Sequence, residues 1–362
     1  MPTNPRHTAI LIAVAMFAAH PLHGQILSLE SGLLRDDIPA DIQQHRLALN
    51  YPLSGELISQ SSYRYLFADQ NPFSGLERLR VALHTVEQAF RARWLATGLQ
   101  LHISGALTLL PTDAIVGDFR LGAAYDIPVS VSAGDPPILF TLKADAGRSR
   151  DQSVTTALVE NISVRDAAGQ LDISLMEVLD ISARAQRSWY SDGNRKESAY
   201  AYLLANVFAD PKITLGYAWS WTDTERSNWS ATGTSFNPST REYRFEYFYY
   251  PYFTPLMERG HLAIAILQWY LFDEVLLHGK ATVPVYSRGR LKYMPEAGRS
   301  PVPIDFDVTY EIEDILPTQY EVGLITEVFD PVVVSVFAEY FSKPYYSYTA
   351  GRLGLQYRFD SK

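Results

Sequence analysis

From Gln25 onward the side chains alternate at period two, and nothing else about the chain restricts its fold so strongly. A strand sends successive side chains to opposite faces, so alternation marks a sheet with two unlike sides. Residues 241–250 put Tyr243, Phe245, Tyr247 and Tyr249 on one face and Glu242, Arg244 and Glu246 on the other. Residues 212–222 set Ile213, Leu215, Tyr217, Trp219 and Trp221 against Thr214, Gly216, Ala218 and Ser220. The runs 352–359 and 173–190 repeat the pattern, and weaker versions recur along the rest of the chain. Several runs reach ten residues or more. Strands of soluble sheets usually have about five or six residues, whereas about nine to eleven are needed to cross a bilayer. Tight connections are expected at 126–128, 210–211, 273–274 and 330–331, and long polar ones at 223–240 and 288–303. Short turns at one rim and long loops at the other are the pattern of an all-β, antiparallel, up-and-down transmembrane barrel.

Composition removes the competing classes. The 362 residues contain no cysteine, which excludes disulfide scaffolds, thiolate metal sites and cysteine nucleophiles. A net charge of -9 argues against a nucleic-acid partner. A hydrophobic content of 47% is too high for a disordered chain. After the N-terminus no apolar run is long enough for a membrane helix. Residues 1–24 read as a secretory signal, 25–40 as a short periplasmic leader and 41–362 as the barrel. The length accommodates about sixteen strands, with about fourteen or eighteen still open. Segment 154–164 reads as strand or short helix. Segment 305–312 alternates, but counting it as a strand of its own upsets the order of the rims. Trp189, Tyr190, Trp219, Trp221, Trp269 and Tyr270 stand near run ends, where amphipathic rings suit the headgroup level.

If the apolar faces meet lipid, the opposite faces line a lumen. They carry Arg46, Arg78, Arg80, Arg120, Lys143, Asp145, Asp180, Arg184, Glu242, Arg244, Glu246, Lys280, Glu321, Glu327, Glu339, Arg352 and Arg358. An Arg or Lys facing lipid at mid-membrane costs roughly 2–4 kcal/mol, so these charges belong inside. Their mixed sign suits both a salt-bridge network bracing the wall and a hydrated passage, and a wall of this size is wide enough for a channel. Tyr200 and Tyr202 share the inward face of their run, where rings can stack on sugars.

A series of motifs then carries a family resemblance. Trp189–Asn194 reads WYSDGN, followed by Tyr200 and Tyr202, Asp210-Pro211, Leu215-Gly216-Tyr217, the run YPYFTP at 250–255 and a closing LGLQYRF at 353–359. Over the second half of the chain this resembles the C-terminal barrel of bacterial exopolysaccharide exporters, such as the cellulose and poly-N-acetylglucosamine export porins. The resemblance implies a sixteen-stranded outer-membrane barrel. The family's tetratricopeptide-repeat scaffold is not seen in the sequence. A stand-alone barrel exporting a polysaccharide with separate partners, a periplasmic synthase or scaffold among them, is therefore expected. Outer-membrane lipid would surround it. The closing strand with Phe359 is similar to the signal read by the barrel-assembly machinery.

No enzyme, metal site or cofactor is expected. His102 and Ser104 share a strand face and form the one suggestive His/Ser pair, but a spacing of two on a strand often arises by chance. A small-solute porin, a structural barrel with a closed lumen and a membrane-embedded hydrolase remain as alternatives.

Overall fold

The computed structural model describes residues 26–36, 40–70, 78–94, 96–112, 114–129, 138–150, 162–176, 178–226, 229–237, 242–249, 256–292, 309–329, 331–343 and 346–359. They form strands throughout: β1 (Ile26–Asp36), β2 (Ala40–Pro52), β3 (Leu57–Gln70), β4 (Leu79–Trp94), β5 (Leu99–Leu109), β6 (Ile115–Val129), β7 (Ile138–Arg150), β8 (Ser163–Leu175), β9 (Leu179–Tyr190), β10 (Arg195–Ala209), β11 (Lys212–Thr224), β12 (Trp229–Asn237), β13 (Glu242–Tyr249), β14 (Leu256–Phe272), β15 (Val275–Lys292), β16 (Thr309–Glu313), β17 (Thr318–Phe329), β18 (Val332–Lys343) and β19 (Tyr346–Arg358).

Every pairing is antiparallel, and the sheet closes on itself where β19 pairs β1, from Arg358 opposite Ile26 to Tyr348 opposite Asp36. Closure leaves no edge for lipid to strip of hydrogen bonds. β15 is the longest strand. Its lower half, Val275–Thr282, pairs β17, and its upper end, Arg288–Lys292, pairs β16. β16 and β17 run in the same direction along β15, so they are two halves of one wall strand, interrupted at residues 314–317. Counted so, the barrel has sixteen strands. The same interruption explains the rim conflict of segment 305–312: its described part, from Thr309 on, belongs to the upper half of a broken strand.

The rim holding Ile26 and Arg358 has short connections at 53–56, 210–211 and 273–274, whereas the opposite rim carries the two longest, 225–255 and 293–308. In outer-membrane barrels the short turns are periplasmic and the long loops extracellular. The outward faces form an apolar belt: Leu29 and Leu33, Leu101 and Ile103, Leu215, Val322 and Leu324, Val336, Leu353 and Leu355 are all exposed. Exposed rings flank it, with Trp94, Tyr125, Trp269 and Tyr357 toward the short-turn rim and Trp189, Tyr320 and Tyr340 toward the long-loop rim. A belt of this extent is stable only against lipid.

Four sequence expectations change. The expected leader is a wall strand, because β1 pairs on both sides with β19 and β2. Residues 126–128 are not a turn but the end of β6. Pairing with β5 stops at Tyr125, so Pro128 lies where β6 has a partner on one side only and its missing N–H costs no ladder bond. The run 173–190 is two strands joined at residues 176–178, with Met176 at φ 49°. The sharpest alternation of the chain, at 241–250, lies in β13, which pairs β12 in a separate two-stranded hairpin and is no part of the wall. Residues 1–24 and most of 154–164 lie outside the described residues.

Candidate functional site: the inner wall

Register fixes which side chains point inward, and the ion pairs follow from it. Arg120 on β6 reaches past β7 to Asp166 on β8, 3.5 Å away. The β7 residue between them in register is Gly147, which offers no side chain to block the path. A Cβ added there would lie 2.7 Å from the Phe119 carbonyl, so the crossing depends on glycine. Arg184 on β9 reaches over β8 to Asp145 on β7, with Nη2 donating to both carboxylate oxygens at 2.9 and 3.1 Å. Its guanidinium also donates to the side-chain oxygens of Gln170 and Gln186. Lys143 pairs Asp172 at 2.7 Å, and Asp172 further accepts from Gln170 and Ser182. Across the barrel Glu321 contacts Arg352 and lies 3.5 Å from His278. Glu339 accepts from Gln319 at 2.8 Å and from Tyr348 at 2.7 Å. Arg120, Asp166, Arg184, Asp145, Lys143, Asp172, Glu321 and Arg352 are thus laid along the wall in bridges between strands.

The interior is not uniformly polar. Leu66, Ala68, Val81 and Leu83, on the inward faces of β3 and β4, form one buried cluster with Leu110, which follows β5. A second joins Ala218, Leu262, Ile264 and Leu316, with Tyr202, Leu204 and Ile266 packed against it. Leu316 comes from the break between β16 and β17. There the chain turns inward: Asp314 takes φ 55°, its N–H donates to the Ser287 carbonyl, and the Leu316 N–H donates to Ser287 Oγ. Ile315 and Leu316 are buried against the wall, Ile315 over Gly289. Nearby, Glu258 of β14 pairs Lys343 of β18 at 3.1 Å, with side chains only 7% and 11% exposed.

The expected lining residues meet different fates. Arg120, Arg184, Glu321 and Arg352 hold the bridges just described, and Asp180 accepts from Ser174 Oγ. Lys280 stands opposite Glu321 in register. Glu327 shares the inward parity of Glu321, and Arg358 ends β19 opposite Ile26. Tyr200 lies opposite Arg184, with its ring centroid 5.8 Å from that of Tyr202. Glu242, Arg244 and Glu246 are corrected: they belong to β13, outside the wall sheet. Arg78 and Arg80 are corrected too, since both bind Asp69, whose register places it on the outward face beside the long-loop rim. Tyr190 is not a girdle ring but points inward and packs on Ile162 and Val164. Arg64, Asp166, Asp172, Glu258 and Lys343 were not anticipated. Their strands were unrecognised or ambiguous in the sequence, or their partner is far along the chain.

A cavity of about 190 Å³ opens on the inner wall, lined by Arg91, Gln100, His102, Lys143, Asp145, Gln170 and Arg184. His102 and Ser104 both face inward, opposite Gly122 and Arg120 in register, and no hydrogen bond joins them among the described residues. Nor do the described residues contain a cluster of groups suited to a metal ion. The larger cavity, about 700 Å³, is lined chiefly by outward residues such as Ala265, Ala281, Tyr320, Ala338 and Tyr340 and is a groove on the lipid side.

No family model and no curated protein matches the sequence. Among solved structures, the chain is similar to one described as a bacterial polysaccharide outer membrane secretin, with TM-score 0.61 at 11% identity, over 94% of this chain and 100% of that chain. More distant likenesses include OmpT of Vibrio cholerae, TM-score 0.40 at 10% identity over 92% and 96% of the two chains. Another is opdK of Pseudomonas aeruginosa, TM-score 0.43 at 12% identity over 92% and 97%. The closed wall, its apolar exterior with rings at both rims, and the fold shared with outer-membrane barrels place this chain in the outer membrane.

Proposed function

We propose that the barrel is a passive channel through which a polysaccharide or oligosaccharide chain crosses the outer membrane. The observation that carries this reading is the inner wall. Eight of its charges neutralise one another along the strands, in Arg184–Asp145, Lys143–Asp172, Arg120–Asp166 and Arg352–Glu321. Beside these bridges the inward face carries the amides of Gln170 and Gln186, the hydroxyls of Ser182 and Ser188 and the Tyr200–Tyr202 rings. A neutral or weakly charged polyol can slide along such a surface, exchanging hydrogen bonds with wall and water without crossing a field of one sign. Rings beside polar groups suit the C–H faces of sugars. The full-length fold likeness to a barrel described as a polysaccharide secretin supports the same reading. The chain would act without catalysis, its cargo being moved by polymerisation on the periplasmic side.

The experiment is deletion of the gene. Loss of secreted polymer, with growth on small sugars unchanged, is the expected result. Unchanged polymer with impaired growth on small sugars would replace this reading by that of a small-solute porin. The inward-folded Ile315 and Leu316 favour a second reading, a braced barrel with a narrowed lumen, which conductance separates from an open pore.

A further inference from the structure

The outward face of β7–β10 breaks the apolar belt near the long-loop rim. In register, Arg148 stands directly opposite Arg165, Arg165 opposite Trp189, and Trp189 opposite Arg195, one row across four neighbouring strands. Arg187, in the next row down, lies over the Trp189 ring at 5.6 Å. Like charges placed directly opposite on a sheet repel, so among the described residues nothing in the wall accounts for Arg148 facing Arg165. Arg187 and Arg195 have exposed glutamates, Glu197 at 3.2 Å and Glu225 at 3.6 Å, and pairs this exposed are weak. Among the described residues no carboxylate lies within ion-pair distance of Arg148 or Arg165; Asp118, in longer electrostatic range of Arg148, belongs to the inward face by register.

The surroundings set the level of this row. Each of its members is within three residues of the long-loop end of its strand. Below it the outward face turns small and apolar, with Ala144, Gly169, Ala185 and Ala199 side by side across the same four strands. The arginines therefore lie at the boundary of the apolar belt, where a guanidinium costs little, above a shallow floor on which hydrocarbon can rest. Planar guanidinium forks bind phosphate oxygens in pairs, and a tryptophan at this level anchors at the headgroups.

We propose that Arg148, Arg165, Arg187 and Arg195, grouped around Trp189 on the outward face of β7–β10, form a binding site for the phosphate of an outer-leaflet lipid headgroup. The lipid's chains lie over the alanine and glycine floor beneath. The phosphate supplies the negative charge that the Arg148–Arg165 juxtaposition lacks.

The test uses the full-length barrel in a neutral detergent, with phosphatidic acid as the phosphomonoester lipid, phosphatidylcholine as the zwitterionic control and inorganic phosphate alone as the soluble control. The barrel is expected to retain phosphatidic acid about tenfold more tightly than phosphatidylcholine. The variant Arg148→Gln with Arg165→Gln is expected to lose that preference while keeping heat-modifiable mobility on gels, which separates loss of the site from loss of folding. Equal retention of the two lipids, or an unchanged preference in the folded double variant, would overturn the site. Inorganic phosphate binding as tightly as phosphatidic acid would overturn the assignment to a lipid. If the double variant fails to fold, Arg165→Lys decides: a weakened preference for phosphatidic acid is expected, because an ammonium lacks the fork, and an undiminished one would contradict the site.

Discussion

At the scale of single residues the barrel holds two kinds of ion pair. Glu258 and Lys343 are almost fully enclosed, so each compensates a charge that water cannot reach. Arg184 and Asp145 are partly open to the lumen and are screened. Glu258→Gln, which takes the buried Glu258 carboxylate away from the Lys343 ammonium, is expected to cost about 3–5 kcal/mol. Asp145→Asn, which leaves Arg184 bonded to Gln170 and Gln186, is expected to cost no more than about 1 kcal/mol. Replacing both Glu258 and Lys343 by Met should restore most of the loss. The measurement is the temperature at which each purified variant shifts from folded to unfolded mobility on a gel. Equal losses for Glu258→Gln and Asp145→Asn would show that burial does not set the strength of these bridges. Of this network, Arg120, Lys143, Asp145, Arg184, Glu321 and Arg352 were legible in the sequence, because each is a charge on the polar side of an alternating run. Glu258 and Lys343 were not, since their meeting depends on the three-dimensional closure of the wall.

At the scale of elements, the interruption between β16 and β17 is the part of the fold that most affects the lumen. It sends Ile315 and Leu316 inward, where Leu316 completes a cluster with Ala218, Leu262 and Ile264. Leu316→Ala removes buried methyl groups at that contact and is expected to destabilise the barrel by about 2–5 kcal/mol, read from the same gel transition. An unchanged transition would mean that the segment is not packed against the wall. Alternation read well where the two faces differ in polarity, as in β9, β10, β11 and β19, and the turns at Asp210-Pro211 and Asp273-Glu274 followed. It failed for β3, where the outward positions Ser59 and Ser61 are polar. Both bond to Gln88, and Gln88 also reaches the Tyr51 hydroxyl, so the face is covered without looking apolar in the sequence. It misled at β13, because period two identifies a strand but not the sheet it joins.

At the scale of the whole molecule, a closed wall with a lipid-facing exterior and paired charges inside, with one segment turned inward, supports the proposed passage. Tyrosine and tryptophan rings mark its two rims, and arginines at the extracellular boundary mark a site for phosphate-bearing lipid. The substrate was not legible in the sequence, because sugar recognition along a wall is spread over many weak contacts and leaves no fixed spacing of residues. The most direct test of the account is single-channel recording of the purified, heat-modifiable protein in a planar bilayer. The account predicts stepwise ion currents with little selectivity between cations and anions, as paired wall charges require. Folded, inserted protein that gives no current steps would contradict it and leave a braced, closed barrel.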